Sequence, residues 1–162
     1  MRPVILASAS KIRAQLLQNA GVDIKILPAD VDEDAMKRVL SSQSRQARGG
    51  DLAEVLAEAK ALDISRKNPD QLVIGADQTL QCGDTLFDKA RDMKDAREKL
   101  LALRGTTHAL YSATACARNG EITYRYSDVA YLTMRDFSPE FLGKYLALLG
   151  HEALGSVGAY KL

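Results

Sequence analysis

"VILASASKIRAQLLQNAG", Val4 to Gly21, decides the fold class, because its structural period changes within a few residues. Val4 to Ala7 is a short continuous apolar run, which reads as a buried strand. From Lys11 onward the apolar residues Ile12, Leu16, Leu17 and Ala20 recur at helical spacing, with Ser10 placed to cap the helix and Gly21 to stop it. A buried strand that runs straight into an amphipathic helix is half of a β-α unit, and such units build a sheet covered by helices.

The rest of the chain extends that beginning. Val22 to Leu27 alternates as a second strand, closed by Pro28. "ADVDEDAMKRVLSSQSRQARGG" (29–50) is polar and rich in Ser, Arg and Gly, and reads as a mobile loop with room for a short helix. Asp51 then caps a periodic helix whose expected buried face is Leu52, Val55, Leu56, Ala59 and Leu62. "NPD" breaks that helix, and "QLVIGADQTLQC" (71–82) follows as a central strand interrupted at Gly75. Lys94 to Arg104 reads as a helix on Ala96, Leu100 and Leu103, ended by Gly105. Thr107 to Arg118 and Glu121 to Thr133 flank Asn119-Gly120, a hairpin signal because a type I′ turn needs positive φ at both central residues. Ser138-Pro139-Glu140 starts a last helix with Phe141, Tyr145, Leu148 and Leu149 expected inward and Gly150 after it. This order predicts one α/β domain over residues 1–162, a mixed β-sheet flanked by helices.

Composition narrows the function classes. The 22 basic and 21 acidic residues nearly cancel, which argues against a nucleic-acid partner bound through a basic face. No apolar run approaches the roughly 20 residues that span a bilayer, so no membrane partner is expected, and "PVILA" is too short for a signal-peptide core. Cys82 and Cys116 form neither a metal-ligand spacing nor a disulfide framework, so a cytoplasmic location is expected. There is no Gly-rich phosphate loop ending in Gly-Lys-Ser/Thr, and no Gly-x-Ser-x-Gly turn to partner His108 in a hydrolase.

Four places set ionisable groups beside apolar structure, and each has a plain alternative. Ser8, Ser10 and Arg13 stand where a helix N-terminus offers unsatisfied N–H groups to an anion; otherwise Ser10 caps the helix and Arg13 faces water. Asp77, after an apolar strand and a glycine, is expected at the strand's carboxyl end, where a carboxylate holds a metal or orients water; otherwise it is a turn aspartate. Lys60 borders the buried stripe of its helix, reaching an anionic ligand or merely snorkelling to solvent, and Lys89 in "LFDKARD" poses the same choice. "DVDED" supplies a candidate metal ligand in Glu33, or a solvated acidic loop.

Taken in order, "LASASKIRAQLL", "DVDE", "AEAKA", "IGADQT", "FDKARD", "LRGTTH" and "VGAYKL" resemble the Maf family of nucleoside triphosphate pyrophosphatases over essentially the whole chain. The resemblance implies an elongated two-lobed architecture like that of the inosine triphosphatases, a homodimer, and a divalent cation, Mg²⁺ or Mn²⁺. It implies hydrolysis of a nucleoside triphosphate to the monophosphate and pyrophosphate. Carried over residue by residue, Asp77 matches the proton acceptor, Glu33 and Asp77 the metal contacts, and Ser8, Arg13, Lys60, Gln78 and Lys89 the substrate-binding positions. Scattered cations then make sense as one cradle for triphosphate charge.

Three departures from the common pattern bear on specificity. Ser10-Lys11-Ile12-Arg13 stands where Ser-Pro-Arg-Arg is usual, Gln78 follows Asp77 where the dTTP/UTP branch has Thr, and Lys89-Ala90 replaces Lys-Pro. The apolar Ile12 before Arg13, the Asp77-Gln78 pair and the ending "AYKL" look more like the 7-methyl-GTP branch, whereas Lys89-Ala90 bears on how rigidly the loop holds its lysine. Family members continue past this last motif, which leaves two expectations: a naturally short relative, or a longer protein with a C-terminal part beyond Leu162. A rival expectation, from the family's link to septum formation, is a nucleotide-binding regulator of cell division without turnover.

Overall fold

The computed structural model describes residues 3–43 and 49–161. The chain divides into two compact units, Met1–Asp77 with Ser112–Asp128, and Gln78–Tyr111 with Val129–Leu162. Among the described residues β1 (Val4–Leu6), β2 (Ile24–Ile26), β3 (Val73–Cys82), β4 (Thr85–Phe87), β5 (Thr107–Arg118) and β6 (Glu121–Thr133) form one mixed sheet in the order β2-β1-β3-β5-β6, with β4 paired to β3. The α/β class with a mixed sheet and flanking helices is therefore as expected. Among the described residues no helix is long and apolar enough to cross a membrane.

In the first unit, β1 (Val4–Leu6) pairs in parallel with β2 (Ile24–Ile26) and with the start of β3 (Val73–Cys82). Its core gathers Ile5, Ala7, Ile64 and Val73. Between β1 and β2 lies α1 (Lys11–Asn19), capped by the Ser10 side chain as the sequence predicts. Its buried face differs from the expected stripe: Ile12 is 60% exposed and Leu16 is also exposed, whereas Ala14 is buried with Arg13 and Leu17 beside it. Arg13 turns inward to hydrogen-bond acceptors, and that fixes the rotation of the helix against the pull of the larger apolar side chains.

The polar stretch after β2, read as a loop with room for a short helix, does contain a helix, longer than expected. It forms α2 (Glu33–Gln43), an eleven-residue helix whose first turn is tied down when Asp32 Oδ1 accepts the Ala35 N–H at 2.8 Å. Asp32 satisfies a donor that a helix N-terminus otherwise leaves unpaired, and Met36, Val39 and Leu40 keep a helical spacing inside a polar composition. The mobility expected of this stretch falls partly on residues 44–48, outside the described residues.

Next, α3 (Gly49–Lys67) begins two residues before the expected cap, leaving Asp51 in its first turn where its charge suits the helix dipole. The buried face is also shifted. It comprises Leu52, Ala53, Leu56, Ala57, Ala61 and Ile64, while Val55 is exposed. The cause is Gly75. A Cβ at Gly75 would lie 2.2 Å from the Ala57 carbonyl oxygen and 2.6 Å from the Ala61 nitrogen, so the helix backbone rests directly on the strand. Close approach puts the small Ala57 and Ala61 at the point of contact, with Leu52, Leu56 and Ile64 buried on the same helix away from it. Gly75 does not interrupt β3; the strand runs through it without a break.

The hairpin is as predicted: β5 (Thr107–Arg118) and β6 (Glu121–Thr133) meet at Asn119 (φ +53°) and Gly120 (φ +76°). The Gly120 N–H donates to Ser65 Oγ at 3.0 Å, which anchors the turn on α3.

In the second unit, β3 turns at Gly83 (φ +57°) into β4 (Thr85–Phe87), a short antiparallel strand the sequence did not reveal. Asp92 caps α4 (Met93–Leu103), which buries Ala96, Leu100 and Leu103 as expected. Ser138 caps α5 (Pro139–Leu149), with proline in the first turn. Here the expected inward set is wrong in part: Leu142 and Leu146 are buried, Phe141 is half exposed and Leu148 is 89% exposed. Apolar residues ring much of this helix, so periodicity gave no single face. The face actually chosen packs with Ala96, Leu100 and Ala153, the last from a 3-10 helix (Gly150–Gly155) that follows Gly150.

Candidate active site

Ser8, Arg13, Glu33, Lys60 and Asp77 all lie within the first unit. β1 stops pairing with β3 at Leu6↔Ile74, and the Ala7 N–H donates to the Ile74 carbonyl at 2.8 Å. Beyond that point the chain peels away through Ser8-Ala9-Ser10 into α1, while β3 continues through Gly75, Ala76 and Asp77. Asp77 is thus not at the end of its strand, as expected, but in its interior. It stands just past the carboxyl end of the parallel segment, the place where open α/β sheets leave room for ligands.

Ser10 and Ser8 divide two jobs. Ser10 Oγ accepts the Arg13 N–H at 3.4 Å, a capping contact. Ser8 is buried, and its Oγ accepts from the Ser10 N–H at 3.2 Å and from Arg13 Nη1 at 3.2 Å. A hydroxyl has two acceptor lone pairs and one donor, so with both lone pairs engaged Ser8 keeps its O–H to donate. Arg13 does not face water. Its Nη1 also donates to the Ala76 carbonyl at 2.7 Å, which places a guanidinium next to Asp77. Burial pulls the Arg13 pKa below its ordinary value, against the opposing pull of Asp77 and then Glu33; arginine stays charged all the same.

Lys60 resolves its alternatives clearly. Only 12% of its side chain is exposed, and Nζ lies 2.6 Å from Asp77 Oδ1 and 2.7 Å from Glu33 Oε1. It is not snorkelling to solvent. The α3 backbone packed on Gly75 carries the lysine inward, and the first residue of α2 brings Glu33 to it from the solvent side, 54% exposed. The Asp77 side chain is 10% exposed. Burial pushes its carboxyl above the ordinary carboxylate range, with Glu33 adding to the rise, and this outweighs the lowering by Lys60 and Arg13.

Ser8, Arg13, Glu33, Lys60 and Asp77 therefore form one cluster drawn from four elements. Two cations and two anions compensate one another within it. Gln78 and Lys89 belong to the second unit. Successive strand side chains point to opposite faces, so Gln78, which is exposed, leaves β3 on the side away from Asp77. Lys89 is exposed between β4 and α4. The Ala76 carbonyl, Arg13's acceptor, escaped sequence reasoning because a backbone atom carries no residue signature. The backbone that closely approaches Gly75 is that of α3.

His108, weighed above as a hydrolase partner, is buried in the second unit. One ring nitrogen, Nε2, lies 2.7 Å from the Tyr160 hydroxyl, and burial lowers the histidine pKa. This is a packed histidine.

Comparison with known proteins agrees with this architecture. The family model for Maf-like protein matches residues 3–162. The chain is 48% identical over 159 residues to a protein of Mesorhizobium japonicum named 7-methyl-GTP pyrophosphatase, spanning 98% of this chain and 79% of that one. It is 45% identical over 159 residues to a protein of Granulibacter bethesdensis named nucleoside triphosphate pyrophosphatase, spanning 98% and 80% respectively. Among solved structures, a HAM1 protein from Coxiella burnetii shares the fold at a TM-score of 0.50 and 14% identity, over 81% of this chain and 71% of that one. At such identity the likeness speaks for the fold alone. The family match and the similar proteins together establish that the chain belongs to the Maf family.

Proposed function

We propose that this protein is a nucleoside triphosphate pyrophosphatase, cleaving its substrate to the nucleoside monophosphate and pyrophosphate, with 7-methyl-GTP favoured over dTTP and UTP. The observation that carries the proposal is the buried Lys60 ammonium held between Asp77 and Glu33, with Arg13 fixed beside them. A carboxylate with a raised pKa is a stronger base than an exposed one, and two neighbouring cations suit a polyanionic substrate.

In this reading a water molecule attacks the α-phosphorus and gives its proton to Asp77, while the bond to the bridging oxygen breaks and pyrophosphate leaves. Arg13 and Lys60 exchange their internal acceptors for phosphate oxygens, and Ser8 donates its O–H to another. Among the described residues no group of three or more His, Cys, Asp or Glu side chains forms a ready-made cation cage. Asp77 and Glu33 nonetheless fit Mg²⁺ or Mn²⁺, hard cations commonly held by one or two carboxylates plus the substrate's own phosphates. When bound there, such an ion neutralises charge that develops on the phosphate oxygens. Gln78 and Lys89 enter the proposal through the family resemblance alone, and alanine at each position tests them.

A panel of nucleotides with Mg²⁺ or Mn²⁺ tests the function. Pyrophosphate release, fastest in kcat/KM with 7-methyl-GTP, is the expected result. Orthophosphate release would identify a phosphatase instead. Nucleotide binding with neither product would favour the regulatory alternative, and a preference for dTTP would overturn only the branch assignment.

A further inference from the structure

Lys60 does more than wait for a phosphate. Its Nζ occupies the position between Asp77 Oδ1 and Glu33 Oε1, at 2.6 and 2.7 Å, with its side chain almost wholly removed from water. These are the same two carboxylates that fit a divalent cation. An ammonium within hydrogen-bond distance of both engages one oxygen of each and offsets part of their negative charge. From the geometry we infer that Lys60 is a resident counter-ion that competes with the divalent metal for Asp77 and Glu33, so that metal is held weakly until a triphosphate draws the ammonium away. The inference rests on the proposed function for the identity of the triphosphate, but the competition itself concerns only this chain and a metal ion.

Three features support competition over simple co-binding. Lys60 is tethered on α3, whose backbone is pressed against Gly75, so the helix cannot drift aside to admit an ion. Glu33 stays open to solvent on its outer side, its side chain being half exposed whereas that of Asp77 is not, so Lys60 is the group that blocks the inner side of the pair. Arg13, bonded to the Ala76 carbonyl, adds a second positive charge next to Asp77 and further disfavours an incoming cation. A triphosphate reverses the electrostatic effect, because its oxygens accept from Lys60 and Arg13 and its negative charge attracts the metal. Metal and nucleotide are then positively coupled, and by reciprocity each raises the other's affinity equally.

The test is a titration of the nucleotide-free protein with Mn²⁺ alone, followed by electron paramagnetic resonance of the free ion. Lys60→Met removes the ammonium and keeps most of the stem, and is expected to bind Mn²⁺ at least about tenfold more tightly than wild type, given the size of a charge–charge interaction at this range. Lys60→Arg, which keeps the charge, is expected not to bind more tightly. Lys67→Met is the control for net charge, since Lys67 pairs with Asp63 on the exposed end of α3. A gain below about threefold for folded Lys60→Met, or an equal gain for Lys67→Met, overturns the inference. Should Lys60→Met not fold, Lys60→Gln replaces it under the same criteria; if that also fails, a wild-type Mn²⁺ affinity already in the micromolar range overturns it and a millimolar one upholds it. Turnover is not needed for any of these readings. A protein that releases pyrophosphate yet fails them loses only this inference, and one that passes them without turnover loses only the proposed function.

Discussion

Gly75→Ala is the smallest change that tests whether the site depends on α3 resting directly on β3. The added Cβ would stand 2.2 Å from the Ala57 carbonyl oxygen and 2.6 Å from the Ala61 nitrogen. Ordinary carbon contacts are about 3.5 Å or more, so the helix must retreat by roughly 1 Å. The clash is with backbone, and no rotamer change relieves it. Lys60, adjacent to Ala61, moves with the helix and its 2.6 Å bond to Asp77 stretches past hydrogen-bonding distance. Overpacking costs about 1–3 kcal/mol. At about 2–4 °C per kcal/mol for a chain of this size, the upper end corresponds to a loss of about 6–12 °C in Tm. Displacement of a substrate-holding group by about 1 Å costs on the order of 10²-fold in kcat/KM. Scanning calorimetry and a coupled pyrophosphate assay measure the two effects. Gly143→Ala is the contrast: Gly143 lies inside α5 with nothing near its missing Cβ, so alanine there is expected to leave Tm unchanged or raise it slightly. A Gly75→Ala protein with wild-type Tm and kcat/KM would refute the account of helix placement.

Asp77→Asn is expected to lower kcat by about 10²-fold or more with circular dichroism unchanged, because the amide cannot take a proton; activity within a few-fold of wild type removes Asp77 from the base role. Arg13→Ala is expected to cost kcat/KM more than Arg13→Lys, which restores the charge but not the planar fork that reaches Ser8 and the Ala76 carbonyl; equal losses would show that charge plays no part. Asp95, in α4, accepts from the Arg91 N–H and Nε–H and has Lys99 near, which holds its carboxyl down at about 2. Its folded pKa lies below the ordinary value of about 3.9, so its stabilising effect is complete above that value and vanishes as pH falls through about 2. Thermal unfolding of wild type and Asp95→Asn should therefore converge towards pH 2, and curves that stay parallel from pH 6 to pH 2 would disprove the assignment.

The elements that sequence periodicity located well are those whose signals are local. Asn119-Gly120 dictates a turn by its own conformational preference, and Ser10 and Ser138 cap their helices within three residues. Faces were less legible than elements. Ile12 and Leu16 have the right spacing for a core stripe, yet hydrogen bonds from Arg13 rotate α1 so that they face water. In α5 the apolar residues occupy too wide an arc for spacing to choose between Leu142 and Leu148. The start and length of α2 were not legible because its cap, Asp32, sits inside an acidic run that looks like a loop, and β4 was not because three residues carry no period at all.

The cluster itself could not be assembled from spacing, since Ser8, Glu33, Lys60 and Asp77 arrive on different elements. Ordered motifs brought them together, and the coordinates now supply the physical reason the lysine is not an ordinary snorkelling one. A snorkelling lysine borders a face of large apolar residues that hold the helix away from the sheet and let the ammonium reach water. Lys60 also borders Leu56 and Ile64, but the helix meets the strand through Ala57 and Ala61, at Gly75, two residues before Asp77. Small residues on a helix opposite a glycine on a strand bring two backbones into contact. A long cationic side chain at that seam then points along the strand, not out to solvent. The pattern is legible once helix and strand are considered as a pair: a lysine flanked by alanines, and a glycine two residues ahead of a carboxylate. It was missed because each half, taken alone, is a common and uninformative piece of sequence.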